Sequence, residues 1–182
     1  MATINLNPSS TVNDGDATND WTIVSGSGTV HQNLADTDDS SQIRTQDQND
    51  RCILTLDDFD NTRVLSIDSI RHYIRGFKFN ARSGDTEVQV KIQDSGASDL
   101  YSENHQLLFN SYVAQDFYGT ARTTSDGSTA WTTSDINGLR LNINTSPEDP
   151  PGGSYANVVK AYVEVTYTVA VTNNSILFGT NF

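Results

Sequence analysis

Three histidines, one cysteine and several short carboxylate runs are the side chains through which this chain could do chemistry, and their spacing decides what stays open to them. His31, His72 and His105 stand far apart and show none of the short intervals of a metal-ligating motif, so all three read as surface or rim histidines. Asn13-Asp14-Gly15-Asp16 and Asp36-Thr37-Asp38-Asp39 gather oxygen ligands of the kind Ca2+ takes. Neither has the twelve-residue loop with a closing Glu, which leaves solvated acidic loops as the reading. Asp57, Asp58 and Asp60 could supply the acid and base of glycoside hydrolysis, but among 23 Asp and Glu some are neighbours by chance. Ser25-Gly26-Ser27-Gly28 lacks the strand-to-helix setting of a nucleophile elbow or phosphate loop and reads as turn punctuation. Cys52 alternates with Leu54 and Leu56, the pattern of a buried small hydrophobe on a strand face rather than a reactive thiol. No catalytic, cofactor-binding or metal-binding residue is assigned on this basis. The expectation is a protein that is not an enzyme and needs no cofactor.

Aromatic side chains are the remaining route to function. Tyr101, Tyr112, Tyr118 and Tyr155 fall in or near loops, where rings can stack on sugar faces or serve sandwich-edge packing and subunit contacts. Trp131 is expected to plug one end of the core.

The elements that must position these residues are strands. Leu139, Leu141 and Ile143 alternate, a Pro/Gly loop follows at 146–153, and Val159, Ala161, Val163, Val165, Tyr167 and Val169 alternate again. Two period-two strands joined by a loop are the closing elements of an antiparallel sandwich. Upstream, Trp21 to Val24 and Gln42 to Thr45 are strand candidates, Thr29 to Gln32 resumes the first, and regular core runs begin at 51–59 and 64–74. Residues 76–92 predict a hairpin turning at Ser83-Gly84-Asp85, with Phe77 and Phe79 on one strand and Val88, Val90 and Ile92 on the other facing the core. A further strand is expected at 106–113, a polar connection at 116–130, and one helical turn over 135–139 capped by Ser134. The fold class is all-β: a jelly-roll or Greek-key antiparallel β-sandwich over residues 21–169, with extended arms at 1–20 and 170–182. The polar N-terminal arm is loose alone or ordered against a partner. The apolar Ile176, Leu177, Phe178 and Phe182, together with Ile4 and Leu6, are the candidate subunit or capsid interface.

A formal charge of -12, from 11 Lys and Arg against 23 Asp and Glu with no gathered basic patch, argues against a nucleic-acid surface. The start of the chain has neither a basic segment nor an apolar leader, and no apolar run approaches the ~18 residues of a membrane span. A product made in the cytoplasm is therefore expected, and the single cysteine fits a reducing compartment.

The Phe-rich segment at 76–92, the segment Trp131-Thr132-Thr133-Ser134-Asp135-Ile136-Asn137-Gly138-Leu139 and the closing strand Val163-Glu164-Val165-Thr166-Tyr167 resemble small β-sandwich virion proteins of tailed bacteriophages over residues 60–169. Some of these are capsid decoration (cement) proteins, others tail and fibre components. The resemblance implies a structural protein on the outer head surface of the virion, often a homotrimer, whose partners are the major capsid protein and copies of itself. The alternative it leaves open is a tail-fibre or receptor-binding module presenting loops 94–104 and 116–130 to a host surface glycan.

Overall fold

Val88, Val90 and Ile92 are fully buried while Glu87, Gln89 and Lys91 between them are half-buried, the two-residue period of a strand with one face on the core. Repeated along the chain, that period builds two antiparallel sheets. The computed structural model describes residues 1–12, 21–26, 28–36, 38–45, 50–60, 62–80, 86–109, 112–145 and 155–170. Within them lie strands β1 (Ala2–Leu6), β2 (Pro8–Val12), β3 (Thr22–Ser25), β4 (Gln42–Thr45), β5 (Arg51–Leu56), β6 (Val64–Phe79), β7 (Thr86–Gln93), β8 (Asp99–Leu107), β9 (Gln115–Tyr118), β10 (Arg140–Thr145) and β11 (Tyr155–Val169). The short helices are α1 (Val30–Ala35) and α2 (Thr133–Asn137). The first sheet runs β3-β4-β11-β6-β9, with β1 also paired to β11, and the second runs β2-β5-β10-β7-β8. The fold is an all-β antiparallel sandwich of jelly-roll type. Among the described residues no helix is long and apolar enough to cross a membrane.

Between the sheets Leu54, Val88, Val90, Ile92, Leu141 and Ile143 pack toward Ile70, Ile74, Ala161, Val163 and Val165. Cys52 is fully buried among them, and burial pushes its thiol up to about 12, so it is inert as expected. Trp131 is buried in the core cluster, its indole N–H donating to the Arg122 carbonyl at 2.9 Å.

Several expectations are corrected. Residues 76–92 do not form a hairpin: β6 pairs with β11 and β9 in the first sheet and β7 with β8 and β10 in the second, so the connection crosses between sheets. Two alternating runs beside a turn-like segment fit a crossover as well as a hairpin, because alternation does not name the partner. β6 continues through Gly76, where a Cβ would lie 2.5 Å from the Asn157 carbonyl oxygen, so only glycine fits against the backbone of the neighbouring strand β11. Since Ile70, His72 and Ile74 already face inward, Phe77 and Phe79 fall on the other face of β6 and are absent from the inter-sheet cluster, unlike Val88, Val90, Leu139, Leu141, Val163 and Val165; Phe77 is nonetheless buried and Phe79 half-buried.

The strand expected at 106–113 lies at Asp99–Leu107 instead, and the polar connection holds β9. The turn at 133–137 is capped by Thr132 rather than Ser134, with Asp135 returning the hydrogen bond to the Thr132 N–H. The run at 29–32 opens α1, because Gln32 reaches back to the Thr29 N–H at 2.9 Å and Val30 and Leu34, four apart, bury one helical face.

The polar arm expected over 1–20 is, through Val12, part of the sandwich, β1 pairing with β11 and β2 with β5. Backbone pairing supplies what the polar side chains do not. Residues 13–20 and 171–182 lie outside the described residues.

Candidate functional site

The two sheets approach each other on one side through β6 and β9 of the first and β7 and β8 of the second. Inward-facing His72 on β6 meets Tyr101, Glu103 and His105, which recur at the two-residue period along one face of β8. His72 Nε2 and His105 Nε2 are 2.7 Å apart, and one ligand atom from each of His72, Glu103 and His105 lies within 4.8 Å of the others. His72 is 0% exposed, whereas Glu103 and His105 are part-exposed. This overturns the reading of His72 and His105 as separate surface or rim residues. The packing of one sheet on the other that brings them together leaves no mark in the sequence; the only available signal was the Tyr101-x-Glu103-x-His105 alternation.

The segment after β9 finishes the cluster. The Thr120 N–H donates to both Glu103 carboxylate oxygens at 3.0 Å, and Arg122 Nη2 donates to Oε1 at 3.2 Å. Arg122 also lies 5.0 Å above the Tyr101 ring and pairs through its backbone with Ile70. Gly119 packs so closely on the imidazole that a Cβ would come 2.3 Å from His72 Cε1. Burial, with His105 and Arg122 adding positive charge, holds His72 well down, to about 4, so its imidazole is neutral at pH 7. Burial likewise lowers His105. Glu103 is pulled upward by burial but ends below the usual carboxylate range through its hydrogen bonds to Thr120 and the nearby His72 and Arg122. Three buried polar atoms, His72 Nδ1, the Tyr101 hydroxyl and Arg122 Nε, have no hydrogen-bond partner among the described residues.

A second candidate lies at one end of the outer face of the first sheet. Tyr112 packs on Phe79 at 4.9 Å and on Phe109 at 5.6 Å, and the Arg44 guanidinium sits 4.5 Å above Tyr155 and 5.3 Å above Phe79. Over this cluster Leu108 (51%), Phe109 (40%), Tyr112 (54%) and Val113 (54%) are exposed.

The candidate interface residues divide. Ile4 is 38% exposed, but Leu6, at 1%, belongs to the protein's own core and offers nothing to a partner. Ile176, Leu177, Phe178 and Phe182 lie outside the described residues. Among the loop tyrosines, Tyr112 and Tyr118 are exposed and Tyr155 is half-buried, whereas the Tyr101 hydroxyl is buried, because β8 turns that residue inward. Asp36 and Asp38 are engaged by backbone N–H groups of Asp38 and Ser40, and Asp39 pairs with Arg75. Asp58 and Asp60 are exposed beside an open groove of about 670 Å³ that Thr133 and Asn137 also line.

No protein-family model and no curated protein matches the chain. Among solved structures, it is similar to an arabinose-bound MgGH51 α-L-arabinofuranosidase at 8% identity and a TM-score of 0.47, over 89% of this chain and 25% of the other. It is also similar to a CBM4 structure at 10% identity and 0.36, over 71% and 83%, and to an exo-β-agarase at 10% and 0.42, over 84% and 22%. The chain thus spans about a quarter of the enzyme chains it matches. At these identities and scores no activity or ligand carries over.

Proposed function

We propose that this protein is a non-catalytic structural component of a tailed-phage virion, a capsid decoration protein that binds the outer head surface and stabilises it. The observation that carries the reading is the exposed apolar cluster of Leu108, Phe109, Tyr112 and Val113 seated on packed aromatic rings. An exposed apolar patch packed on aromatic rings of a sheet is a surface for another protein, since its removal from water is favourable. The sequence resemblance to phage β-sandwich virion proteins supplies the class of partner: the major capsid protein and further copies of this chain, with a homotrimer as the assembly. A formal charge of -12 suits an outer surface rather than one against packaged nucleic acid.

The test adds purified protein to heads lacking it and measures uptake and resistance to heat. Binding that is saturable, raises the temperature of head rupture and is lost in Tyr112→Asp is the expected result. Failure to bind heads, together with binding to host cells or their glycans, overturns it in favour of a receptor-binding module, for which the exposed rings of Tyr112 and Tyr118 are the available contacts.

A further inference from the structure

His72, Glu103 and His105 are drawn from strands of opposite sheets, two imidazoles and one carboxylate with donor atoms converging within 4.8 Å. We propose that these three side chains bind a divalent transition-metal ion of the zinc type, joining β6 of the first sheet to β8 of the second. Nitrogen and carboxylate donors in this number form the three-residue set that zinc accepts, with a fourth position left for water.

Four features support the site. The two imidazoles, one from each sheet, already place their Nε2 atoms 2.7 Å apart. Glu103 is held from behind by the Thr120 N–H and Arg122, the outer support that metal-binding carboxylates commonly have. A tetrahedral ion with bonds of about 2.0–2.1 Å spaces its ligands roughly 3.3 Å apart. That falls between the 2.7 Å imidazole separation and the 4.8 Å span of the cluster, so small rotations of the part-exposed Glu103 and His105 complete the geometry. Lastly, His72 occupies a fully buried position between Ile70 and Ile74, and its Nδ1 has no hydrogen-bond partner among the described residues. A buried nitrogen without a partner costs stability that an apolar residue would not, and such costs concentrate at functional positions. The Arg122 guanidinium opposes a cation but also balances Glu103, leaving the site neutral before the metal enters.

The experiment uses full-length protein stripped with EDTA and dialysed, titrated with Zn2+ by calorimetry and with Co2+ by visible absorption, with thermal melting in parallel. One equivalent of Zn2+ binds, Co2+ develops the absorption of a low-coordinate nitrogen–oxygen site, and Tm rises with free zinc; a hundred-fold excess over Kd multiplies the folded-to-unfolded ratio about 100-fold. His105→Ala and Glu103→Gln alter part-exposed positions, so they fold, and the saturating step is lost in the first and weakened in the second. Absence of stoichiometric binding in the wild-type protein, or unchanged affinity in His105→Ala, overturns the proposal.

Discussion

His72 and Tyr73 are adjacent on β6, yet the polar groups around them are satisfied to very different degrees. On the outer face, Tyr73 stacks on Tyr162 at 4.3 Å and donates its hydroxyl to Asp116 at 2.7 Å, while Arg75 bridges Asp116 and Asp39 at 2.7 Å each. Alongside, Arg71 pairs with Glu164 at 2.6 Å and covers Tyr118. On the inner face, by contrast, His72, Tyr101 and Arg122 each keep a buried polar atom without a partner among the described residues. A network that closes on itself is explained by structure alone; one left open is where a ligand has room to add bonds.

Acid separates the two faces most strongly. In metal-free protein the unfolded His72 takes up a proton near pH 6.5, whereas the folded one resists until about 4. The unfolded state therefore binds more protons in that window, and stability falls as pH drops from 6.5 toward 4, by up to ~3 kcal/mol. His105, lowered by burial, acts in the same direction, while Glu103 and Asp116, both held below their ordinary values, release stability only at more acidic pH. Denaturant unfolding across this range checks it, and a curve no flatter in His72→Leu would remove His72 as the cause.

Next in size is Gly119→Ala. Its Cβ meets the His72 ring and costs ~1–3 kcal/mol by overpacking. In a His72→Ala background most of that cost disappears, a coupling that a double-mutant cycle of melting midpoints reads directly.

The smallest effect belongs to the closed outer network. Asp116→Ala removes the Tyr73 hydrogen bond and one arm of the Arg75 bridge, but Asp116 is half exposed and Arg75 keeps Asp39, so the loss is below ~1 kcal/mol. A loss several times larger in chemical denaturation would make the outer face, not the inner one, the sensitive side of β6.

Period-two alternation by itself determined that this chain is an all-β sandwich, because a strand between core and water must alternate wherever it pairs. It also placed Val88, Val90, Leu141, Val163 and Val165 in the core and put a strand at Gln42–Thr45. Which strand lies beside which was decided only in three dimensions, since ladder hydrogen bonds run between backbones and are blind to side-chain identity. Hence 76–92 reads as a hairpin and is a crossover, and Phe77, though buried, and Phe79 fall on the face of β6 away from the inter-sheet cluster once Ile74 and Gly76 set its phase. The first twelve residues join both sheets by backbone pairing, with Leu6 alone among them fully buried in the core cluster. The histidine pair is the clearest case: His72 and His105 stand 33 positions apart, on strands of different sheets, and only the packing of those sheets, about 10 Å face to face, brings two imidazoles and a carboxylate to one point.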